Sequence, residues 1–175
     1  MLAISVAIKM DSPGPVIFKQ VRITTYGRKF YIYKFRTMVA GADKIGSKVT
    51  VQGDSRITKI GEFLRKYRLD EIPQLFNVLI GDMSFVGTRP EVEKYVHQYN
   101  DAMKATLLMP AGITSLASIK YKDEDQLLRN AENTDEEYVK IVLPEKMKYN
   151  LKALEEFDIF SDLKTMIATV FAVVR

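Results

Sequence analysis

Two adjacent carboxylic acids, Asp70 and Glu71, lie between a basic segment and an apolar run, in the stretch Leu-Asp-Glu-Ile-Pro-Gln-Leu-Phe-Asn-Val. A turn-rich loop that ends at Arg89-Pro90 follows closely. Carboxylate oxygens suit Mg²⁺, which normally takes one or two carboxylates together with the phosphate oxygens of a substrate. An aspartate can also attack phosphorus and form an aspartyl-phosphate. One interpretation is therefore that Asp70 and Glu71 are catalytic residues and Mg²⁺ ligands in phosphoryl transfer.

The alternative for Asp70 is structural. The spacing of the apolar residues, with Pro73 in the first turn and Gly81 at the end, predicts a helix that begins near Asp70. Aspartate is a common N-cap and stabilises a helix by about 1 kcal/mol in that position. A helix N-terminus also binds phosphate through its free N–H groups, so capping and phosphate chemistry are compatible at this place.

Candidate phosphate-binding cations surround the acidic pair in the sequence: Lys34, Arg36, Arg65 and Arg89. Period-two alternation places Lys34 and Arg36 on one face of a predicted strand. That face would bind a phosphate, or both side chains would simply extend from a half-buried sheet into solvent. Cations close to Asp70 are expected to keep its carboxylate ionised, and thus nucleophilic, at neutral pH.

The charge distribution along the chain supports an anionic ligand. Residues 1–70 carry 14 Lys/Arg and 5 Asp/Glu, a balance of +9, whereas residues 71–175 have a balance of −5. This asymmetry indicates that the first part meets phosphate, nucleic acid or acidic lipid, although a solvated basic face is the alternative. The chain has no cysteine, which excludes disulfides and thiolate chemistry, and a single histidine, His97.

The predicted fold is α+β, a helix-dominated single domain with a β-hairpin, since 175 residues suffice to bury one core. The predicted elements are a hairpin of residues 16–23 and 29–38, a loop over 40–53, a helix capped by Asp54 or Ser55, a helix from Asp70 to Gly81, a helix over 91–108, two helices in 123–156 divided at Pro144, and an apolar amphipathic helix from Ile159. The last helix would pack internally or lie in a membrane interface. No stretch reaches the ~20 apolar residues of a membrane span.

Several motifs follow one another along the chain: Gly-Pro-Val-Ile-Phe-Lys-Gln at 14–20, Tyr-Lys-Phe-Arg-Thr-Met at 33–38, the segment from Arg65 to Pro90 with its Leu-Asp-Glu-Ile-Pro-Gln-Leu-Phe-Asn-Val core, and Asp-Leu-Lys at 162–164. They resemble the motifs of the bacterial sugar transferases, the monotopic phosphoglycosyl transferases. The resemblance spans nearly the whole chain in the same order. This chain departs from the family pattern at Thr88, where proline is usual, and at Ala111, which is an additional residue.

The resemblance implies transfer of a phospho-sugar from a nucleotide diphosphate sugar, usually a UDP-sugar, to polyprenol phosphate at the cytoplasmic face of the bacterial inner membrane. It implies that Asp70 attacks the sugar-bearing phosphate, releases UMP and forms a covalent phospho-sugar intermediate. Glu71 would complete the dyad around Mg²⁺, Arg89 would bind the nucleotide, and Lys34 and Arg65 would support the phosphates. No nucleic-acid partner is expected, and the chain is compatible with a homo-oligomer.

The resemblance also implies that residues 1–12 are the remnant of a re-entrant membrane helix and residues 13–175 are the catalytic domain. Amphipathic helices and the basic face would then attach the chain to the membrane interface. Two other functions stay open from the residues alone. One is a non-catalytic basic module that binds membrane or nucleic acid, and the other is a soluble Mg²⁺-dependent hydrolase of nucleotide-sugar pyrophosphates.

Overall fold

A computed structural model describes residues 1–42, 45, 50–51, 53–128, 131 and 133–174. The chain forms a single mixed helix-and-sheet domain, so the predicted α+β class is confirmed. The helices are α1 (Leu2–Asp11), α2 (Lys59–Lys66), α3 (Gln74–Leu79), α4 (Glu93–Val96), α5 (Asp101–Lys104), α6 (Leu116–Lys120), α7 (Glu124–Leu127), α8 (Thr134–Glu137), α9 (Leu143–Glu155) and α10 (Ile159–Val174). The strands are β1 (Ile17–Ile23), β2 (Lys29–Phe35), β3 (Met83–Val86) and β4 (Ala111–Thr114).

The predicted hairpin is confirmed. Strands β1 and β2 pair antiparallel, with Ile17 opposite Phe35 and Ile23 opposite Lys29. A 3₁₀ turn over Thr25–Gly27 connects them. Strand β2 ends at Phe35, so Arg36 lies beyond the regular alternation of the strand.

A second, parallel sheet of β3 and β4 was not predicted. Just beyond β3, the main chain at Gly87 approaches the main chain at Gly112 of β4 very closely. A Cβ atom on residue 112 would lie only 2.1 Å from the Gly87 nitrogen. Thr24, at the end of β1, connects this sheet to the hairpin because its Oγ1 donates to the Asp82 carbonyl and accepts from the Ala111 N–H, both at 3.1 Å. The loop that carries Arg89 therefore begins at a rigid junction.

The acidic pair lies in a 3₁₀ turn, Leu69–Glu71, that precedes α3. The prediction of one helix from Asp70 is thus wrong in detail, since α3 begins at Gln74 behind Pro73. Arg68 adopts the left-handed conformation, with φ of 52°, and this turns the chain from α2 into the 3₁₀ turn. On either side of the pair, Leu69 and Ile72 pack against a buried cluster of Ile8, Phe35 and Leu64.

Two further predictions are corrected by local capping. Helix α2 is capped by Thr58, whose side chain accepts from the Gly61 N–H, and not by Asp54 or Ser55. Residues 91–108 form two short helices and a 3₁₀ turn in place of one helix, because the Asn100 side chain accepts from the Met103 N–H and starts α5. Within the predicted loop of residues 40–53, residues 43–44, 46–49 and 52 lie outside the described part.

The C-terminal part contains a π-helical turn, Tyr138–Val142, between α8 and α9. Pro144 lies in the first turn of α9. The prediction of two helices divided at Pro144 is wrong, because residues 123–156 contain α7, α8 and α9, and the helical backbone continues from α8 through the π-helical turn into α9. Helix α10 packs against β3, β4 and α6 but leaves many large apolar side chains exposed: Ile159, Phe160, Leu163, Ile167, Val170 and Phe171. Among the described residues, no helix has the length and apolar character of a membrane span.

Candidate active site

Glu71 is the centre of a buried ion-pair cluster. Its Oε1 lies 2.9 Å from Lys34 Nζ and 2.5 Å from Arg89 Nη2, and Arg68 Nη1 lies 3.8 Å away. Its second oxygen also contacts Arg89, at 3.4 Å from Nη1. Three segments that are distant in sequence, namely β2, the 3₁₀ turn and the loop after β3, therefore meet at one carboxylate.

The charges of this cluster determine the ionisation of Glu71. Burial alone would raise its pKa, but the positive charges of Arg89 and Lys34 outweigh burial and hold the pKa well below the usual glutamate range. Burial lowers the pKa of Lys34 despite its attraction to Glu71, whereas Glu71 raises the pKa of Arg89. The carboxylate is accordingly ionised and engaged as an ion-pair partner.

Asp70 has a different environment. Its side chain is buried, and its Oδ1 atom has no hydrogen-bond partner among the described residues. Burial, followed by the neighbouring charge of Glu71, raises its pKa above the usual aspartate value even though Lys34, Arg65 and Arg68 act in the opposite direction. Burial therefore outweighs the cations at Asp70, whereas the cations outweigh burial at Glu71.

The capping hypothesis for Asp70 is also wrong. The N-cap positions of the 3₁₀ turn and of α3 are Arg68 and Pro73, and neither helix start has a side-chain cap. A buried carboxylate oxygen without a partner costs free energy, which favours a functional explanation for its retention. The amide of Gln74, one turn further on, is fully buried and likewise lacks partners in the described part of the chain.

The structure brings together most of the predicted site residues. Lys34 and Arg89 bind Glu71 directly, and Arg65 is close enough to lower the pKa of Asp70. Arg36 lies elsewhere: its guanidinium donates to the carbonyls of Ile8, Ser12 and Pro13, at the end of α1 and in the turn that follows. Lys34 and Arg36 therefore do not form one phosphate-binding face, and Arg36 has a structural role in fixing α1 against the hairpin.

Arg68 was not among the predicted site residues, although it faces both acids. The sequence feature that could have identified Arg68 as a site residue is its position two residues before Asp70. Its left-handed backbone, which brings it there, has no signature in the sequence because arginine seldom adopts that conformation. Gln74 was missed as well, since glutamine carries no charge that would single it out.

Of the two predicted Mg²⁺ ligands, Asp70 fits a hard cation and Glu71 does not. In the described ranges, no group of three acidic or histidine side chains forms a metal site. Asp70 Oδ1 is an oxygen ligand without a protein partner, which fits Mg²⁺ bound mainly by substrate phosphates and water. Glu71 offers no such oxygen, because Arg89 contacts both of its oxygens.

Comparison with known proteins gives a family match. A model of a protein family described as "Bacterial sugar transferase" matches residues 1–175. The chain is 36% identical over 176 residues to the UDP-glucose:undecaprenyl-phosphate glucose-1-phosphate transferase of Escherichia coli (strain K12). The matched region covers 98% of this chain and 35% of that protein.

Two other relatives are similar. The UDP-N-acetylgalactosamine-undecaprenyl-phosphate N-acetylgalactosaminephosphotransferase of Aeromonas hydrophila is 49% identical over 100 residues, covering 57% of this chain and 24% of that protein. The uncharacterized sugar transferase EpsL of Bacillus subtilis (strain 168) is 34% identical over 163 residues, covering 93% of this chain and 72% of that protein. The chain thus spans about a third or less of the length of the first two relatives.

Proposed function

Because the chain belongs to the bacterial sugar transferase family, we propose that it transfers a phospho-sugar from a UDP-sugar to polyprenol phosphate. The relatives from Escherichia coli and Aeromonas hydrophila are named for this type of reaction, with undecaprenyl phosphate as acceptor. The observation that carries the proposal is the buried, unpartnered oxygen of Asp70 beside a carboxylate that gathers Lys34 and Arg89.

The first chemical step is an attack by the Asp70 carboxylate on the phosphorus that bears the sugar. An aspartyl–phosphorus bond forms, the bond from that phosphorus to the UMP oxygen breaks, and UMP leaves with the bonding electron pair. Burial raises the pKa of Asp70, and a more basic carboxylate is a stronger nucleophile once it is ionised, so burial favours this attack.

In the second step, an oxygen of polyprenol phosphate attacks the same phosphorus. The bond to Asp70 breaks, polyprenyl diphosphate-sugar leaves, and the Asp70 carboxylate is restored. The two steps give ping-pong kinetics. Lys34 and Arg65 neutralise the phosphate oxygens and Arg89 binds the nucleotide side, while Glu71 orients Lys34 and Arg89 through the ion pairs described above.

Mg²⁺ is the cofactor in this proposal, with Asp70 as its protein ligand and the donor diphosphate as the other source of oxygens. When bound, it neutralises charge that develops on the phosphate oxygens. A role for Glu71 as a second metal ligand stays a prediction, since it requires one Arg89 contact to be released.

The membrane interface is the proposed place of the reaction, on the cytoplasmic face, because the acceptor is a lipid. Directly after the catalytic turn, helix α3 exposes Leu75, Phe76 and Leu79, and Ile80, the residue that follows the helix, is exposed as well. Helix α10 exposes a second set of large apolar side chains, including Phe160 and Phe171. Such amphipathic helices bury their apolar faces in the boundary between headgroups and acyl chains.

The test follows UMP release by detergent-solubilised protein from UDP-sugars with Mg²⁺, with and without polyprenol phosphate. Support for the proposal would be repeated UMP release that depends on the lipid and is lost in Asp70→Asn, together with a mass increase of one phospho-sugar on the wild-type protein without acceptor. Asp101→Asn is the matched control, since Asp101 is almost fully exposed and forms a surface ion pair with Lys104.

Three results would contradict the proposal. Continued turnover without the lipid, beyond the single UMP per protein that the first step releases, identifies a hydrolase. Equal activity in the wild type and Asp70→Asn removes Asp70 as the nucleophile. No release by the folded protein, with binding to anionic lipid retained, leaves a non-catalytic membrane-binding module.

A further inference from the structure

The segment on both sides of Arg89 is fixed by main-chain hydrogen bonds. Before Arg89, the Gly87 N–H donates to the Thr114 carbonyl and the Thr88 carbonyl accepts from the Gly112 N–H, both at 3.0 Å. After it, the Glu91 carbonyl accepts from the Ile23 N–H at 3.0 Å. The first anchor belongs to the parallel sheet, and the second belongs to the hairpin.

The second anchor is reinforced by Arg22 of β1. Its Nη1 donates to the Pro90 carbonyl at 3.0 Å, while Nε and Nη2 bind the side-chain oxygen of Gln20 at 3.0 and 2.7 Å. The Glu91 carboxylate lies 3.8 Å from the same Nη1 atom and balances the partly buried charge of Arg22. Without Glu91, Arg22 would be an unbalanced cation near Arg89 and would repel it.

Glu91 is in turn oriented by Tyr138. The Tyr138 hydroxyl donates to the Glu91 carboxylate and is 3.3 Å from Lys146 Nζ, which pairs with Glu124 at 2.8 Å. All three of Glu91, Tyr138 and Lys146 are buried. Tyr138 is the first residue of the π-helical turn, an irregularity that changes the direction of a side chain and that is common at functional sites.

We propose that Tyr138 is a positioning residue for Arg89: through Glu91 and Arg22 it fixes the loop that presents the arginine to Glu71 and to the substrate. The inference rests on the proposed function only for its effect on turnover. The chain of contacts runs from the π-helical turn to the ion pair of Arg89 with Glu71. Small displacements of a charge-neutralising group reduce the rate of phosphoryl transfer strongly.

The first measurement is hydrogen exchange, which needs no substrate. Tyr138→Phe removes only the hydroxyl, and we expect faster exchange at the Ile23 amide, whose acceptor is the Glu91 carbonyl. Tyr95→Phe is the matched control, because Tyr95 is equally buried and packs on the Tyr138 ring at 4.9 Å, but its hydroxyl binds Asp135. Equal exchange in the two variants would overturn the proposal.

The second measurement is kinetic. In Tyr138→Phe we expect kcat/KM for the UDP-sugar to fall roughly tenfold, with little change in Tyr95→Phe. In an Arg89→Lys background, the Tyr138 substitution should cause less than about a twofold further loss, because the group that it positions is already replaced. Additive losses would overturn the proposal. If the wild type releases no UMP, the transferase function fails, while the exchange result still decides the positioning.

Discussion

Asp70 and Glu71 are adjacent and both buried, yet their pKa values are displaced in opposite directions. Burial raises both. For Glu71, the contacts with Arg89 and Lys34 more than compensate, whereas Asp70 has an oxygen without any partner in the described chain. The difference separates two functions: Glu71 organises the cations, and Asp70 is available to a ligand or an electrophile.

Glu71→Gln should destabilise the protein at neutral pH. A lowered pKa in the folded state means that ionised Glu71 stabilises the fold above its usual pKa of 4.5, and that this contribution is lost as the pH falls through the lowered value. Removing the charge leaves the partly buried Lys34 and Arg89 without their partner, at a cost of up to about 3–5 kcal/mol. Denaturant unfolding from about pH 7 down to about pH 3 checks this, since the difference from wild type should be constant above about pH 5 and shrink below that.

Asp70→Asn should stabilise the protein at neutral pH while abolishing transfer. A raised pKa in the folded state means that ionising Asp70 costs stability as the pH rises above its usual value of 3.8, up to the raised value. The neutral amide avoids that cost. Thermal unfolding should give a higher Tm than wild type at neutral pH, and the gain should disappear in acid. A lower Tm at neutral pH would contradict the assigned direction of the shift.

The local features of the fold were predictable from the sequence. The hairpin follows from β-forming residues on both sides of one turn. Arg65 and Arg89 follow from their nearness to the acidic pair in the sequence, and Lys34 follows from the predicted hairpin. The parallel sheet was not, because β3 and β4 have four residues each and pair across the whole Arg89 loop. Such short strands have no alternation long enough to be recognised.

The opposite behaviour of the two acids was equally inaccessible. It depends on which acid meets the cations of distant segments, and residue spacing does not contain that information. Arg36 illustrates the same limit. Alternation along β2 placed it beside Lys34, but the strand ends at Phe35 and the guanidinium turns towards the carbonyls behind α1.

Asn77→Asp should be strongly destabilising. The Asn77 side chain on α3 binds the main chain of β2, accepting from the Tyr33 N–H at 3.1 Å and donating to the Tyr31 carbonyl at 2.8 Å. Aspartate keeps the acceptor but places an oxygen against the Tyr31 carbonyl, at a cost of about 2–3 kcal/mol. Asn100→Asp is the control, because the Asn100 cap needs only an acceptor. Equal loss of unfolding free energy in both variants would contradict this explanation.

Arg68→Gly should be more stable than Arg68→Ala, although both remove the same charge. Arg68 has φ of 52°, a conformation that costs non-glycine residues roughly 1 kcal/mol and that glycine adopts freely. The comparison isolates backbone strain from the loss of the contact with Glu71. Urea unfolding should separate the two variants by about that amount, and a more stable alanine variant would exclude strain at this turn.

Phe160→Asp should weaken binding to anionic vesicles. Phe160 lies on the outward face of α10 with 71% of its surface exposed, so the substitution changes the fold little. Burying its ring in the interface is worth about 1.5–3 kcal/mol, which corresponds to a loss of at least roughly tenfold in vesicle affinity. Gln98→Asp, an exposed position next to α4, adds the same charge on another element and serves as the control. Sedimentation with vesicles of phosphatidylglycerol and phosphatidylcholine measures both, and equal retention of the two variants would exclude α10 from the docking face.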